Sequence, residues 1–304
     1  MDKTGILLER NLQPHHLPFL IGEKSGLTDE RNLQLEVHEP LSVFSGFERL
    51  YEGEVQFMLT QPLYLLNEYL RGGNLTAVAQ LMDSQGGVLY RTDSGLQEPA
   101  DLKDANRILY RGIDEKIARQ LLLSLDEELG PEDLAEPEFI RSSETGIDAL
   151  AEGEADVLLP ADIVPEGVAL QQSGTAVDFW FFTHFGLPEN GRLVLVVADE
   201  TIDLAPNKIQ EAVSFFHESI QYVKDNIPAC QQFFRDNYSE ELDQTGMEAV
   251  LQSGPGNLSL NFSQDFNLYT TWGEWIEDNL DIEGFVDLDR LIDERFIPIA
   301  GLEI

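Results

Sequence analysis

The sequence predicts an α/β fold of two lobes, each built on a mostly parallel sheet, and three observations carry that expectation. Short apolar runs alternate with amphipathic stretches over the first 90 residues, the pattern of β-α units. A second series of such units follows between residues 87 and 159. The chain then passes through a strongly apolar run at 192–197 into a helical C-terminal third. At 304 residues it exceeds one ordinary small core and suits two lobes of roughly 100 to 150 residues each. The middle units are therefore expected as an insertion, with 1–88 and 186–304 forming an outer lobe and 89–185 a second one.

Element by element, 6–8 reads as a strand, and Pro14 opens a helix that runs to Gly26, a glycine stop. Strand 33–38, helix 45–51, buried strand 55–59, helix 63–70 closed by Gly72 and Gly73, and strand 76–82 follow. The second series reads as strands 87–91 and 107–110, helix 115–129, strand 138–141, helix 145–152 and strand 155–159. An amphipathic run at 208–224 is the clearest helix of the last third, and Gly254-Pro255-Gly256 interrupts the helical region.

Charge narrows the partners. The chain carries 56 acidic and 19 basic residues, a formal net charge of -37. With no basic stripe to displace counterions, nucleic acid is excluded as a partner, and anionic membrane surfaces are disfavoured. No run is apolar and long enough to span a bilayer, so no membrane insertion is expected. The acids are scattered, without the loop spacing of a calcium site, and the reading is a salt-adapted, halophilic surface whose self-repulsion molar salt screens. A single cysteine, Cys230, rules out an internal disulfide. The first residues have neither a basic nor a sustained apolar leader segment. The chain as it stands reads as cytoplasmic, or as extracytoplasmic if a leader has been removed.

Residues 11–27, NLQPHHLPFLIGEKSGL, resemble the first signature of the thiamine-pyrimidine synthase and alkylsulfonate-binding family. The likeness continues through LQLEVHEP at 33–40, YEGEVQFML at 51–59, GVLY at 87–90 and AEGEADVL at 151–158. It implies a type II periplasmic-binding protein, a clam-shell with mixed, mostly parallel sheets that closes on a small metabolite. One branch of that family is a self-consuming synthase that uses pyridoxal phosphate. Here Thr60 stands where that branch's Schiff-base lysine would be, and Tyr64 where its sacrificial histidine would be. A hydroxyl cannot form an imine, so no cofactor and no enzymatic reaction are expected.

The candidate ligand contacts are His16, at the family's histidine position, and Thr60 and Gln61, at the carboxyl end of a strand where ligands of open α/β sheets bind. Asp162 is a further candidate, at the place where pyrimidine-binding relatives carry an acid. Trp180 and Phe181, from the aromatic run 180–185, are expected to stack on a flat ring, and Arg91 is the best-placed cation for an anionic headgroup. Arg111 and Gly112 form a weaker candidate for an amide nest. His15 and His16 are read as no metal site, because adjacent helical residues diverge.

The resulting expectation is a monomeric solute-binding protein that captures a thiamine-pyrimidine precursor, a sulfonate or a similar solute for an ABC permease. The alternatives are an enzyme of pyrimidine or thiamine precursor synthesis and a cytoplasmic ligand sensor. The charge also yields a test of the salt-adapted surface. The melting temperature should rise steeply from dilute buffer to molar chloride, where the Debye length shrinks to about 3 Å, and a flat or falling trend across a chloride series would refute that surface reading.

Overall fold

The computed structural model describes residues 2–27, 33–142, 146–243, 247–280 and 286–298. Strands β1 (Asp2–Leu7), β2 (Leu33–His38), β3 (Phe57–Thr60) and β4 (Leu75–Met82) join a late strand, β10 (Leu193–Ala198), in one sheet of order β2-β1-β3-β10-β4. Strands β5 (Gly86–Arg91), β6 (Arg107–Tyr110), β7 (Glu138–Arg141), β8 (Val157–Asp162) and β9 (Val177–Phe181) make the second, ordered β7-β6-β8-β5-β9. β10 runs antiparallel between β3 and β4, as β5 does between β8 and β9, so both sheets are mixed. This is the expected α/β architecture with mixed sheets, realised as two sheets of five strands each among the described residues.

Burial follows composition. All eight residues of β4 and all four of β3 are buried, because helices cover both faces of these sheets and such strands read as continuous apolar runs. The helix Pro62–Leu70 begins with proline at its first position, where a missing N–H costs nothing. Gly72, at φ +90°, follows its end. Ser42 caps the next helix to the N-terminal side, Val43–Tyr51, by accepting from the Ser45 N–H at 3.1 Å.

Several elements depart from the expectation. The single helix from Pro14 to Gly26 is instead a 3-10 turn, Pro14–His16, and two helical turns, Leu17–Leu20 and Gly22–Ser25. Pro18 has no N–H to give and its ring crowds the carbonyl four residues back, so one continuous helix cannot pass. The helix from Glu115 stops at Leu123, where the Ser124 hydroxyl returns to the Gln120 carbonyl. β8 runs on past residue 159 to Asp162. Trp180 and Phe181, the first two residues of the aromatic run 180–185, end a strand, Val177–Phe181. Of the expected helix 145–152, Thr145 lies outside the described residues and Ile147–Glu152 is helical.

Two short crossings link the sheets, one between β4 and β5 and one between β9 and β10. They run in backbone contact: a Cβ on Gly191 would fall 2.4 Å from the Ser84 carbonyl carbon, so only glycine fits there. Glu189 ties the crossings together by accepting from the Gly86 N–H at 2.5 Å and the Gly191 N–H at 3.0 Å. The helix Phe266–Leu280 lies across the join, packing on both Pro62–Leu70 and Glu115–Leu123. Its Trp272 indole donates to the Glu189 carbonyl at 2.9 Å, and its Trp275 indole donates to the Ser124 hydroxyl at 3.3 Å.

Gly112 illustrates how tightly the sheets meet. It sits at φ +68°, and a Cβ there would lie 2.5 Å from ring carbons of Tyr64, which comes from the other sheet's side. Gly112→Ala should therefore cost about 2–4 kcal/mol, combining the left-handed penalty with overpacking. Urea unfolding measures it, and a loss below about 1 kcal/mol would show that the two sides do not meet as described.

Candidate functional site

The strand ends of both sheets point charge at the junction. The chain leaving β1 supplies Glu9 and Arg10, then His15 and His16 on the 3-10 turn. β3 ends in Thr60 and Gln61, β6 is followed by Arg111, β8 ends in Asp162 with Glu166 one turn on, and the second crossing brings Asn190. All ten are buried, Asp162 to 2% exposure and Arg10 to 7%. Isolated charges cannot remain in such a place, so each must be paired.

The pairing joins the two sheets. The Arg10 guanidinium bonds through Nη2 to Asp162 Oδ2 and lies with Nη1 2.8 Å from Glu166 Oε1. Arg111 grips the same Glu166 with two parallel bonds of 2.7 and 2.5 Å, the strongest geometry open to a guanidinium and a carboxylate. Glu166 also accepts from the Asp162 N–H at 2.7 Å. The Gln61 amide donates to Asp162 Oδ1 at 2.8 Å and accepts from Asn190 Nδ2 at 3.1 Å. Breaking such a buried pair by deleting one partner costs about 3–5 kcal/mol.

Glu9 accepts from both histidines, His15 Nε2 on Oε1 and His16 Nε2 on Oε2, each at 2.9 Å. The expectation that His15 and His16 diverge is thus corrected: in a 3-10 turn their rings stand 4.1 Å apart and converge on an acid six and seven residues upstream. One ligand atom from each of the three residues falls within 4.8 Å of the others. The Gln13 N–H, however, donates to His16 Nδ1 at 2.9 Å. That bond assigns the proton to Nε2, which faces Glu9, and commits the lone pair a metal would need.

Burial opposes every ion here, and neighbours decide the outcome. Burial works to raise Glu9, but hydrogen bonds from both histidines hold it well below the usual carboxylate range. Glu166 is likewise lowered, burial being overcome by Arg111 and then Arg10. At Asp162 burial wins over Arg10, helped by the negative charge of Glu166, and the carboxyl is pushed from the ordinary 3.8 up to about 6. His15 is lowered by burial. Several buried polar atoms close to these groups have no hydrogen-bond partner, among them Thr60 Oγ1 and the Tyr64 hydroxyl. Tyr64 is raised by burial, and it lies within electrostatic reach of Arg111, Asp162, Arg10 and Glu166.

Four of the expected residues, His16, Thr60, Gln61 and Asp162, come together in this cluster. Three do not. β5 is antiparallel to β8, with Gly86 opposite Asp162, so Arg91 sits at the far end of its sheet. There it bonds Asp93 and the Leu150 carbonyl. Trp180 faces the apolar core and stacks on Tyr90 with ring centres 4.1 Å apart. Phe181 points to the opposite face, against Phe179 and His184. Arg111 and Gly112 form no amide nest, because the Arg111 N–H donates to the Leu159 carbonyl at 3.2 Å and the Tyr64 ring lies over the glycine. Glu9, Arg10, Glu166 and Asn190 escaped the sequence reading, and Tyr64 entered it only as the residue at the position of the family's histidine. The adjacent Glu9-Arg10 pair just beyond an apolar strand was the one local signal.

Residues 13–227 match the model of the NMT1/THI5-like family. Over 117 residues, 38% of the chain, the sequence is 31% identical to the 4-amino-5-hydroxymethyl-2-methylpyrimidine phosphate synthase THI12 of Saccharomyces cerevisiae, of which the match covers 34%. The chain thus spans about a third of the length of the curated relatives it matches. Among solved structures, the alkanesulfonate-binding protein SsuA from Xanthomonas axonopodis pv. citri, bound to MOPS, superposes with a TM-score of 0.72 over 96% of this chain and 98% of its own, at 14% identity. The ligand-binding component of an ABC-type import system from Staphylococcus aureus, with zinc bound, gives 0.69 over 98% of both chains, also at 14% identity. At that identity the likeness is one of fold, the periplasmic-binding-protein fold.

The raised Asp162 carboxyl fixes a sign for pH dependence. The folded protein binds this proton more tightly than the unfolded chain, so its contribution is fully present below about pH 4 and is lost as pH rises through 6. Glu9 and Glu166, being lowered, run the opposite way and lose their contribution only in stronger acid. Subtracting the unfolding free energy of Asp162→Asn from that of wild type should give a difference that falls between about pH 4 and 6 and is level above 7. A level difference across the whole range would show that Asp162 is not the group titrating there.

Proposed function

The chain belongs to the NMT1/THI5-like family, and we propose that within it this protein acts as a solute-binding protein rather than a synthase, holding a small solute between its two sheets. The observation that carries the reading is the position of Asp162. It ends a strand of the second sheet yet is held by Arg10 and Gln61 from the first, so a solute reaching it would touch both sides at once. Ligands of open α/β sheets bind beyond the carboxyl ends of strands, where all of these groups stand.

The charge of the cluster favours one solute class. Glu9, Asp162 and Glu166 outnumber Arg10 and Arg111, which suits an amino-bearing heterocycle such as a thiamine-pyrimidine precursor better than a sulfonate. An exocyclic amine can donate to a carboxylate, whereas a sulfonate brings only acceptors and more negative charge. The synthase alternative draws support from the 31% identity to the yeast enzyme. Against it stand Thr60, fully buried at the position the resemblance gives to the lysine, and the lack of any lysine in the cluster. Delivery to an ABC permease is the partner reading that the named functions of the structural neighbours favour.

Thermal-shift screening against aminopyrimidines, alkanesulfonates and amino acids, followed by calorimetry, tests the proposal. An aminopyrimidine should raise the melting temperature and bind without turnover. Asp162→Asn should weaken it by about 1–3 kcal/mol, the loss expected for a charge-assisted bond in a desolvated site. If alkanesulfonates shift the melting temperature and aminopyrimidines do not, the solute class is wrong. A panel in which nothing binds the wild-type protein sinks the binding-protein reading itself.

A further inference from the structure

The least satisfied member of the cluster is Arg10. Its Nε and Nη1 are buried without a hydrogen bond of good geometry, although they lie 3.3 Å from Glu9 Oε1 and 2.8 Å from Glu166 Oε1. Its two acidic contacts in the second sheet each have another partner. Glu166 keeps both bonds from Arg111, and Asp162 keeps the Gln61 amide. Arg10 itself would keep its neighbour Glu9 if it withdrew. The guanidinium therefore bridges the sheets without being required for any one carboxylate to remain paired.

Charge points the same way. The cluster described here holds three carboxylates and two guanidiniums. His16 is neutral by its bond from the Gln13 N–H, and His15 is disposed to be neutral by burial. With all three acids ionised the group is one positive charge short of balance. Beside it the Tyr64 hydroxyl and Thr60 Oγ1 are buried, without partners and able to accept from an N–H donor.

We propose that the Arg10 guanidinium is an internal occupant of this buried junction, seated on the Asp162–Glu166 carboxylate pair that receives a planar monocation of the amidinium or guanidinium class, and that such a solute binds by displacing it onto Glu9. This rests on the solute-binding reading above and adds the charge and shape of the group recognised. A planar N–C–N edge presents two parallel donors as the guanidinium fork does. Its single charge balances the cluster once Arg10 has moved to Glu9, and its remaining N–H groups meet the Tyr64 and Thr60 oxygens. No bond is made or broken in the exchange.

The test is chemical rescue of Arg10→Met, which removes the guanidinium and keeps an apolar stem. The variant should melt lower than wild type and scatter X-rays as a more open molecule. Millimolar methylguanidinium or acetamidinium should restore both properties, and each should bind the variant at least about ten-fold more tightly than it binds wild type, about 1.4 kcal/mol. Tetramethylammonium and methanesulfonate at the same ionic strength should restore neither. Adding Glu166→Gln to Arg10→Met should abolish the rescue. If Arg10→Met does not fold alone, its recovery on refolding with methylguanidinium is the readout, and failure to recover overturns the proposal. Equal affinity of the planar cations for variant and wild type, or equal rescue by tetramethylammonium, also overturns it. Those results leave the solute-binding reading standing if wild type binds any solute of the screen, so the two failures are distinguishable.

Discussion

A carboxylate buried between two sheets has to be answered from the opposite side, and the arrangement of this protein follows from meeting that demand at Asp162. Its partners Arg10 and Gln61 lie on segments that leave β1 and β3, so those strands must end at the junction, level with the end of β8. Asn190, on the chain returning to β10, then orients Gln61 and accepts from the Leu63 N–H at the start of the helix behind it. The network links four segments far apart in sequence. A polar cluster of this depth is worth little as net stability but strongly penalises any arrangement that strands one of its charges. It therefore fixes how the sheets face each other more than how tightly they hold.

Much of this was legible from the chain alone, for a definable reason. Strands such as β3 and β4 announce themselves as apolar runs between turn residues, and a strand's carboxyl end is known once the strand is. Thr60 and Gln61 were found by position and Asp162 through the family resemblance, all without knowledge of any partner. What could not be read was pairing. Arg10 and Asp162 are separated by 152 residues, and nothing local distinguishes this acid's partner from the other basic residues. Glu166 was hidden because its turn could not be placed until β8 was seen to continue to Asp162. The errors have the same origin. Arg91 was chosen as the cation at the end of its strand, and the antiparallel course of β5 carries that end away from the junction. Trp180 and Phe181 alternate across β9, so their shared aromatic character said nothing about a shared direction.

The comparisons divide along a similar line. The fold and family are settled by features spread over most of the chain, whereas the chemistry depends on a few positions at which relatives of one family differ. Thr60 and Tyr64 keep their places at the end of β3 and in the helix after it while offering neither an amine nor an imidazole. The charges nearby come from guanidinium and carboxylate groups, which bind and orient, with two imidazoles on Glu9 beside them. A fold shared by transport components and enzymes is thus read by its site.

The contact between Gly191 and Ser84 bears on how such a molecule can move. Two crossings laid side by side, with backbone against backbone and Glu189 clasping both, form a flat double ribbon, a shape that opposes shear and twist more than bending across its thickness. The helix Phe266–Leu280, braced on both sides through Trp272 and Trp275, stiffens the back of that ribbon. The sheets are left with close to a single angular coordinate instead of the several open to bodies joined by one linker. An opening along that coordinate would bring the strand ends back in the same register, so most of the orientational entropy of assembling the charged cluster is spent once, when the chain folds.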